Sequence, residues 1–216
     1  AVWSFQAVKT MPCGDGGMIT TNDKELYEKI VLMTWMGITS TYSRTNSLGG
    51  TPGYSWDYDV DTLGYKCYMI DLQAAIALEQ MKKLPKHLEW RRHIQKCYNE
   101  GLSGLIRNPA WSETVQHYGA RVPSIERNEL INYLADKKIH TSVHYKPLHK
   151  HKIVNREYDV ADKEWKKLIS LPCHPGMSQE DIDYVIYWIK QYYHEKSITS
   201  YDGKTAIYHG TIVVED

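Results

Sequence analysis

The chain has 216 residues, with 26 basic and 26 acidic side chains that cancel to a formal net charge of zero. That balance excludes the clustered positive field that nucleic acid or an anionic membrane surface requires. No apolar run approaches the roughly 20 residues of a membrane helix, so the composition reads as a soluble protein of one large or two small domains.

There are 17 Tyr and 7 Trp against one Phe. Much of the core must therefore consist of amphipathic aromatics whose O–H and N–H groups need partners. The cysteines Cys13, Cys67, Cys97 and Cys173 are far apart, with no C-x-x-C pair. Neither a zinc site nor a disulfide framework is signalled, and a reducing, cytoplasmic setting is the default. The N-terminus lacks the pattern of a secretory signal. It also lacks an initiator Met, and Ala-Val-Trp-Ser-Phe reads as a strand already under way inside a larger protein.

In chain order, the start reads strand, loop, strand, helix. Gly17 to Thr21 is a short apolar run, and Asn22 and Asp23 are candidate helix caps. Leu26, Tyr27, Ile30 and Val31 recur at helical spacing, and Gly37 ends that helix. Residues 38–58 carry Thr, Ser, Tyr, Gly and Pro52 without periodicity and read as a long exposed loop, a common place for function. A helix begins at Asp71 and is interrupted by Pro85. A second follows, with Trp90, Ile94, Tyr98 and Leu102 at steps of four.

Beyond Gly104 the pattern predicts strands near 118–122, 141–145 and 168–171, with a helix over 127–137. Ser178, with Asp181 three residues on, opens a last helix with Ile182, Val185, Ile186, Ile189 and Tyr193 on its apolar face. From Lys196 the character changes. Tyr201-Asp202-Gly203-Lys204 between Ile198 and Ile207 predicts a β-hairpin. Alternating strands and helices give an α/β fold class.

The stretch richest in chemistry is Ser4-Phe5-Gln6-Ala7-Val8-Lys9, followed by Cys13-Gly14-Asp15-Gly16-Gly17. A lysine just after a strand, ahead of a glycine-rich turn, suits covalent catalysis. Its amine can condense with an aldehyde, and glycine lets backbone pass close to a bulky cofactor. On residue type alone a solvated lysine beside an ordinary turn is the commoner case.

Sequence context changes that balance. The chain resembles the DegT/DnrJ family, the pyridoxal-phosphate-dependent aminotransferases of nucleotide-linked keto sugars. The resemblance rests on Ser4-Phe5-x-x-x-Lys9, Gly14-Asp15-Gly16-Gly17 and Thr21-Asn22-Asp23. It continues through Leu63-Gly64-Tyr65-Lys66 and Asp71-Leu72-Gln73-Ala74-Ala75, then Val143-His144-Tyr145-Lys146-Pro147-Leu148-His149. It closes at Leu171-Pro172-Cys173-His174-Pro175-Gly176 and the helix from Ser178.

The resemblance implies the end of a fold type I large domain over 1–84, a small C-terminal α/β domain over 85–195, and an extra tail over 196–216. It makes Lys9 the Schiff-base lysine, and Ser4 a hydroxyl on the cofactor phosphate. The Tyr68 segment matches a loop that reaches the neighbouring subunit's phosphate, which implies a homodimer. The family commonly has Asn, Arg or His at Tyr68, and a Tyr hydroxyl can still donate one hydrogen bond but brings no charge, so phosphate contact and plain packing both stand for it. Gln6 replaces the usual His.

The resemblance puts His144 and Tyr145 beside the substrate pocket, and Arg44 in the long loop is a candidate contact for substrate phosphate. The spacing of His140, His144, His149 and His151 fits no zinc pattern, so no metal is expected. Arg91 and Arg92 read as an exposed helix face beside Trp90.

Relatives that dehydrate rather than transaminate carry His at the lysine position, so Lys9 favours transamination, with glutamate the implied amino donor. In the family the carboxylate paired with the pyridine nitrogen lies upstream of Lys9. The expectation is an aminotransferase lacking its N-terminal half, inactive as an isolated fragment, with apolar surface left uncovered. The competing expectation is a non-catalytic dimerisation or interaction module derived from the same family.

Overall fold

The computed structural model describes residues 1–38, 59–107, 116–123 and 125–199. The chain divides at Leu84 into two units.

In the first unit β1 (Val2–Ser4) and β2 (Gly17–Ile19) pair antiparallel, with Val2 opposite Ile19 and Ser4 opposite Gly17. Glycine is needed at the end of that ladder, because a Cβ on Gly17 would lie 2.8 Å from the Trp3 carbonyl oxygen. Helix α1 (Lys24–Thr34) starts where Asp23 Oδ1 accepts from the Leu26 N–H at 3.0 Å. That is a side-chain N-cap satisfying one orphan donor. The helix ends as the Gly37 N–H turns back to the Leu32 carbonyl at 2.9 Å, with Gly37 at φ +75°.

Leu26, Tyr27 and Val31, spaced as a packing face, are all exposed, as are Val2, Trp3, Met18 and Ile19 on the hairpin. Among the apolar residues described in this unit, Cys13, Ile38 and Ala77 are the buried ones. Local sequence is sufficient to make these elements, but the unit supplies little to cover them.

Helix α2 (Asp71–Gly101) is continuous through Pro85, which corrects the expected break. Proline removes the N–H that would reach the Met81 carbonyl and crowds that turn. Both residues are exposed, so water can replace the missing donor, and the strong helix formers on either side carry the helix across.

In the second unit β3 (Tyr118–Arg121) pairs antiparallel with β4 (Leu168–Leu171), with Gly119 opposite Ser170. Single bridges extend the ladder on both sides, Arg107 to Arg121 and Ser142 to Ser170. The strand expected over 141–145 is reduced to that one bridge. The helices α3 (Arg127–Asp136), α4 (Asp159–Trp165) and α5 (Gln179–Thr199) and a 3-10 turn over Leu148–Lys150 belong to this unit, with α3 packed against α5 and β4. Its core joins Ile94, Tyr98 and Leu102 to Ala120, Leu130, Leu134, Ile169, Ile182, Val185 and Ile189.

Several aromatics find the partners their polar ends require. The Trp90 indole donates to the Met177 carbonyl, Tyr98 to the Pro172 carbonyl, and Tyr118 to Asn99 Oδ1, all within 2.8–2.9 Å. Burial pushes the Tyr98 phenol strongly upward, so it stays protonated and donates. Trp165 Nε1, Trp188 Nε1 and Tyr193 Oη are buried without a partner among the described residues.

Arg91 is 7 % exposed, which corrects its reading as a solvent-facing residue. Its Nη1 donates to the Gln116 carbonyl at 3.0 Å and to the Cys173 carbonyl at 2.5 Å. The guanidinium thereby ties α2 to the segments entering β3 and leaving β4. A charged head is tolerated there because fixed carbonyl dipoles replace water.

The start of α5 is a reciprocal cap. The Asp181 N–H donates to Ser178 Oγ at 3.2 Å, and the Ser178 N–H donates to Asp181 Oδ2 at 2.8 Å. Replacing Ser178 with Ala removes one arm of this capping box. The expected result is a loss of about 1 kcal/mol, read as a lower urea midpoint with unchanged slope. The helix runs on through Thr199, so Ile198 is helical where a hairpin strand was expected. The remainder of the tail lies outside the described residues.

Candidate active site

Lys9 sits on the connection between β1 and β2. The Phe5 N–H donates to the Gly16 carbonyl and the Cys13 N–H to the Phe5 carbonyl, both at 2.8 Å. These bonds close the base of the loop and leave Gln6 to Pro12 as a separate turn carrying Lys9. Within it, the Gln6 N–H donates to Ser4 Oγ at 3.5 Å, and the Val8 N–H to Gln6 Oε1 at 3.1 Å. The Lys9 N–H donates to the Gln6 carbonyl at 2.9 Å. Gln6 therefore shapes the turn with its side-chain oxygen. Lys9 is half-buried.

Ser4 accepts that one long bond and keeps its O–H hydrogen available as a donor. Asp15 is committed to the turn, since its Oδ1 accepts from the Gly16 N–H at 2.9 Å. Its carbonyl is held twice, by the Cys13 thiol at 3.1 Å and by Gln73 Nε2 at 2.9 Å. Gln73 also accepts from the Ile70 N–H at 3.1 Å, at the start of α2. This one side chain fastens the lysine turn to a helix terminus. Its sequence signal was slight, a polar residue just inside a predicted helix start.

Tyr68 packs edge-on against Trp35, with ring centroids 4.5 Å apart. Lys66 Nζ lies 5.8 Å from the Trp35 ring centroid and 5.9 Å from that of Tyr68. A cation is thus close to Tyr68, although the Tyr itself brings none.

In the second unit His144 and Tyr145 are brought together with His117, a residue that no motif marked. The His144 and His117 rings stack at 3.8 Å, and His144 Nδ1 lies 2.8 Å from Ser170 Oγ. Burial lowers the His144 pKa, favouring the neutral ring. Arg44 lies outside the described residues.

His149 is tied to Asp162 at 2.8 Å, and Lys150 reaches the other carboxylate oxygen at 2.8 Å. Hydrogen bonds from Lys150 and then His149 hold Asp162 down at about 2, against an ordinary 3.8. A depressed carboxylate stabilises the fold above its ordinary range and loses that contribution as pH falls through the folded value. The chain should therefore lose stability between about pH 4 and pH 2, and Asp162→Asn should flatten that limb of the acid-unfolding curve.

Among the described residues, no group of three or more His, Cys, Asp or Glu is placed to hold a metal ion. No helix among them is long and apolar enough to cross a membrane.

Residues 1–190 fit the model of the DegT/DnrJ/EryC1/StrS aminotransferase family. The chain belongs to this family. Aminotransferases of the family act on sugars and depend on pyridoxal phosphate.

The spore coat polysaccharide biosynthesis protein SpsC of Bacillus subtilis (strain 168) is 34% identical over 203 residues, covering 85% of this chain and 51% of SpsC. The GDP-perosamine synthase of Escherichia coli O157:H7 is 29% identical over 205 residues, with 91% and 52% covered. Among solved structures, the aminotransferase TlmJ from Streptoalloteichus hindustanus superposes with a TM-score of 0.78 at 27% identity, over 90% of this chain and 52% of TlmJ. Spr1654 from Streptococcus pneumoniae, in a PMP form, gives 0.75 at 31% identity, with 90% and 53% covered. The fold is that of these aminotransferases. This chain spans about half the length of the relatives it matches.

Proposed function

We propose that this chain carries the cofactor-anchoring lysine and the C-terminal portion of a pyridoxal-phosphate-dependent aminotransferase of a nucleotide-linked keto sugar, with glutamate as amino donor. The observation that carries the reading is Lys9 on a loop closed by its own backbone bonds, inside a family match over residues 1–190. On this reading, 1–84 ends the cofactor-binding large domain and 85–195 is the small domain. The working protein is a cytoplasmic homodimer, and Tyr68 faces the partner's cofactor.

The residues present fit the aldehyde and phosphate ends of the group. Lys9 offers a primary amine and Ser4 a hydroxyl with a spare hydrogen, on one hairpin. Asp15 uses one carboxylate oxygen, Oδ1, to accept from the Gly16 N–H. The family resemblance puts the carboxylate paired with the ring nitrogen upstream of the lysine, so this chain by itself is expected to be inactive.

Pyridoxal phosphate, when bound, supplies the aldehyde that Lys9 captures and the ring that takes up the electron pair left as the donor's α-hydrogen departs. Lys9 Nζ would accept that α-proton as general base and deliver it to the cofactor's exocyclic carbon as general acid. Ser4 Oγ donates to a phosphate oxygen. His144, Tyr145 and Arg44 bind oxygens of the sugar nucleotide.

Borohydride trapping tests the assignment in a protein that includes the upstream half. Reduced cofactor on the peptide containing Lys9 supports the enzyme. An unlabelled peptide supports the second reading, a dimerisation or interaction module. What favours that reading is the exposed apolar surface of the first unit, with Leu63 91 % and Val2 82 % exposed.

A further inference from the structure

Three segments of the second unit meet beside the β3–β4 ladder. His117 immediately precedes β3, His144 follows the Ser142 bridge, and Ser170 is on β4. The two imidazole planes are 19° apart, and Tyr145 stands edge-on to His144 at 4.6 Å and to His117 at 6.4 Å. Ser170 is 6 % exposed, and its backbone N–H and carbonyl are both paired with Ser142, at 2.7 and 3.0 Å. Its hydroxyl has His144 Nδ1 as its partner among the described residues.

We propose that Ser170 and His117 are positioning residues that hold His144 as the Nε2–H tautomer and present that N–H to an oxygen of the bound sugar substrate. The proposal rests on the sugar-aminotransferase reading and extends it to two residues that no motif marks.

The argument is one of hydrogen-bond supply. A hydroxyl carries one hydrogen and two lone pairs. If Ser170 accepted from Nδ1–H, its own buried hydrogen would be orphaned. If it donates to Nδ1, only a lone pair is spare, which is far less costly. Nδ1 is then an acceptor, and the ring hydrogen of the neutral imidazole resides on Nε2.

Stacking supplies the second constraint. A ring flip would set Cδ2 against the Ser170 hydroxyl and break that bond, and the His117 face restricts intermediate orientations. Tyr145 is 65 % exposed, so the group borders solvent and a ligand can reach it.

The test reads the tautomer directly, by long-range proton–nitrogen correlation of the full chain with ¹⁵N-labelled histidine, at a pH well above the ordinary imidazole range. His144 should appear wholly as Nε2–H. Ser170→Ala should introduce the Nδ1–H form, Ser170→Thr should restore the single form, and His117→Phe, which keeps a stacking face, should retain it. An Nδ1–H tautomer in the unmodified chain, or an Nε2–H form unchanged by Ser170→Ala, overturns the proposal and leaves the aminotransferase reading intact.

In a protein that includes the upstream half, Ser170→Ala should raise KM for the keto sugar about 10-fold and leave KM for the amino donor unchanged. An unchanged sugar KM overturns the proposal. Absence of any transamination by the unmodified protein overturns the functional reading, and the tautomer spectra still decide the positioning role.

Discussion

Lys9→Ala is expected to abolish transamination in a protein that includes the upstream half, by on the order of 10³-fold or more in kcat. The size of the loss follows from two roles falling on one atom. On the proposed reading Lys9 Nζ is both the amine that captures the cofactor and the base that moves the donor's α-proton, and no neighbour on the Gln6–Pro12 turn offers a substitute amine. The fold should survive, because the turn is held by backbone bonds from Phe5, Lys9 and Cys13 that the substitution leaves in place.

Single-turnover kinetics with glutamate, followed by the absorbance of the cofactor, check the first half-reaction alone. Circular dichroism verifies the fold. Lys9→Arg should be as inactive as Lys9→Ala, since a guanidinium keeps the charge but neither condenses with an aldehyde nor gives up its proton near neutral pH. Undiminished turnover in Lys9→Ala would remove the assignment.

The second large effect is on stability. Arg91→Met should destabilise the chain by about 3 kcal/mol, because two carbonyls lose charge-assisted donors and the replacement cannot satisfy them. Arg91 joins α2 to the Gln116 and Cys173 carbonyls, so its loss loosens three segments at once. The burial that raises the Cys173 thiol pKa is partly opposed by Arg91, and the variant should push that thiol higher still. Urea unfolding measures the first consequence, and the pH dependence of thiol alkylation the second. Arg92→Met, on the exposed side of the same helix, should change the midpoint little. Equal shifts for the two variants would show that burial of Arg91 has no energetic consequence.

Much of the fold was legible because its signals are local. Asp23 and the Ser178–Asp181 pair announce helix starts through donors only three residues away, and the structure has both caps. Ile94, Tyr98, Leu102, Ile182, Val185 and Ile189 repeat at helical spacing and are buried together. The family was equally legible, since its motifs hold residue types in order along the chain.

Pro85 and Arg91 were misread for one reason. Whether a proline ends a helix, or an arginine faces water, depends on what surrounds it. Exposure at Met81 and Pro85 lets water replace a missing donor, and carbonyls from Gln116 and Cys173 replace water around a guanidinium.

By itself the sequence determined most of the helices and the β3–β4 strands, the caps at Asp23 and Ser178, and the family. Those depend on residue types at short separations, where covalent connection already places the partners. Only the tertiary structure decided that Gln73 fastens the Asp15 turn, that His117 stacks on His144, and that Ser170 lies within hydrogen-bond distance of Nδ1 of that ring. These contacts join residues dozens of positions apart, and a hydrogen bond or a ring stack at such separation leaves no periodic trace in the chain.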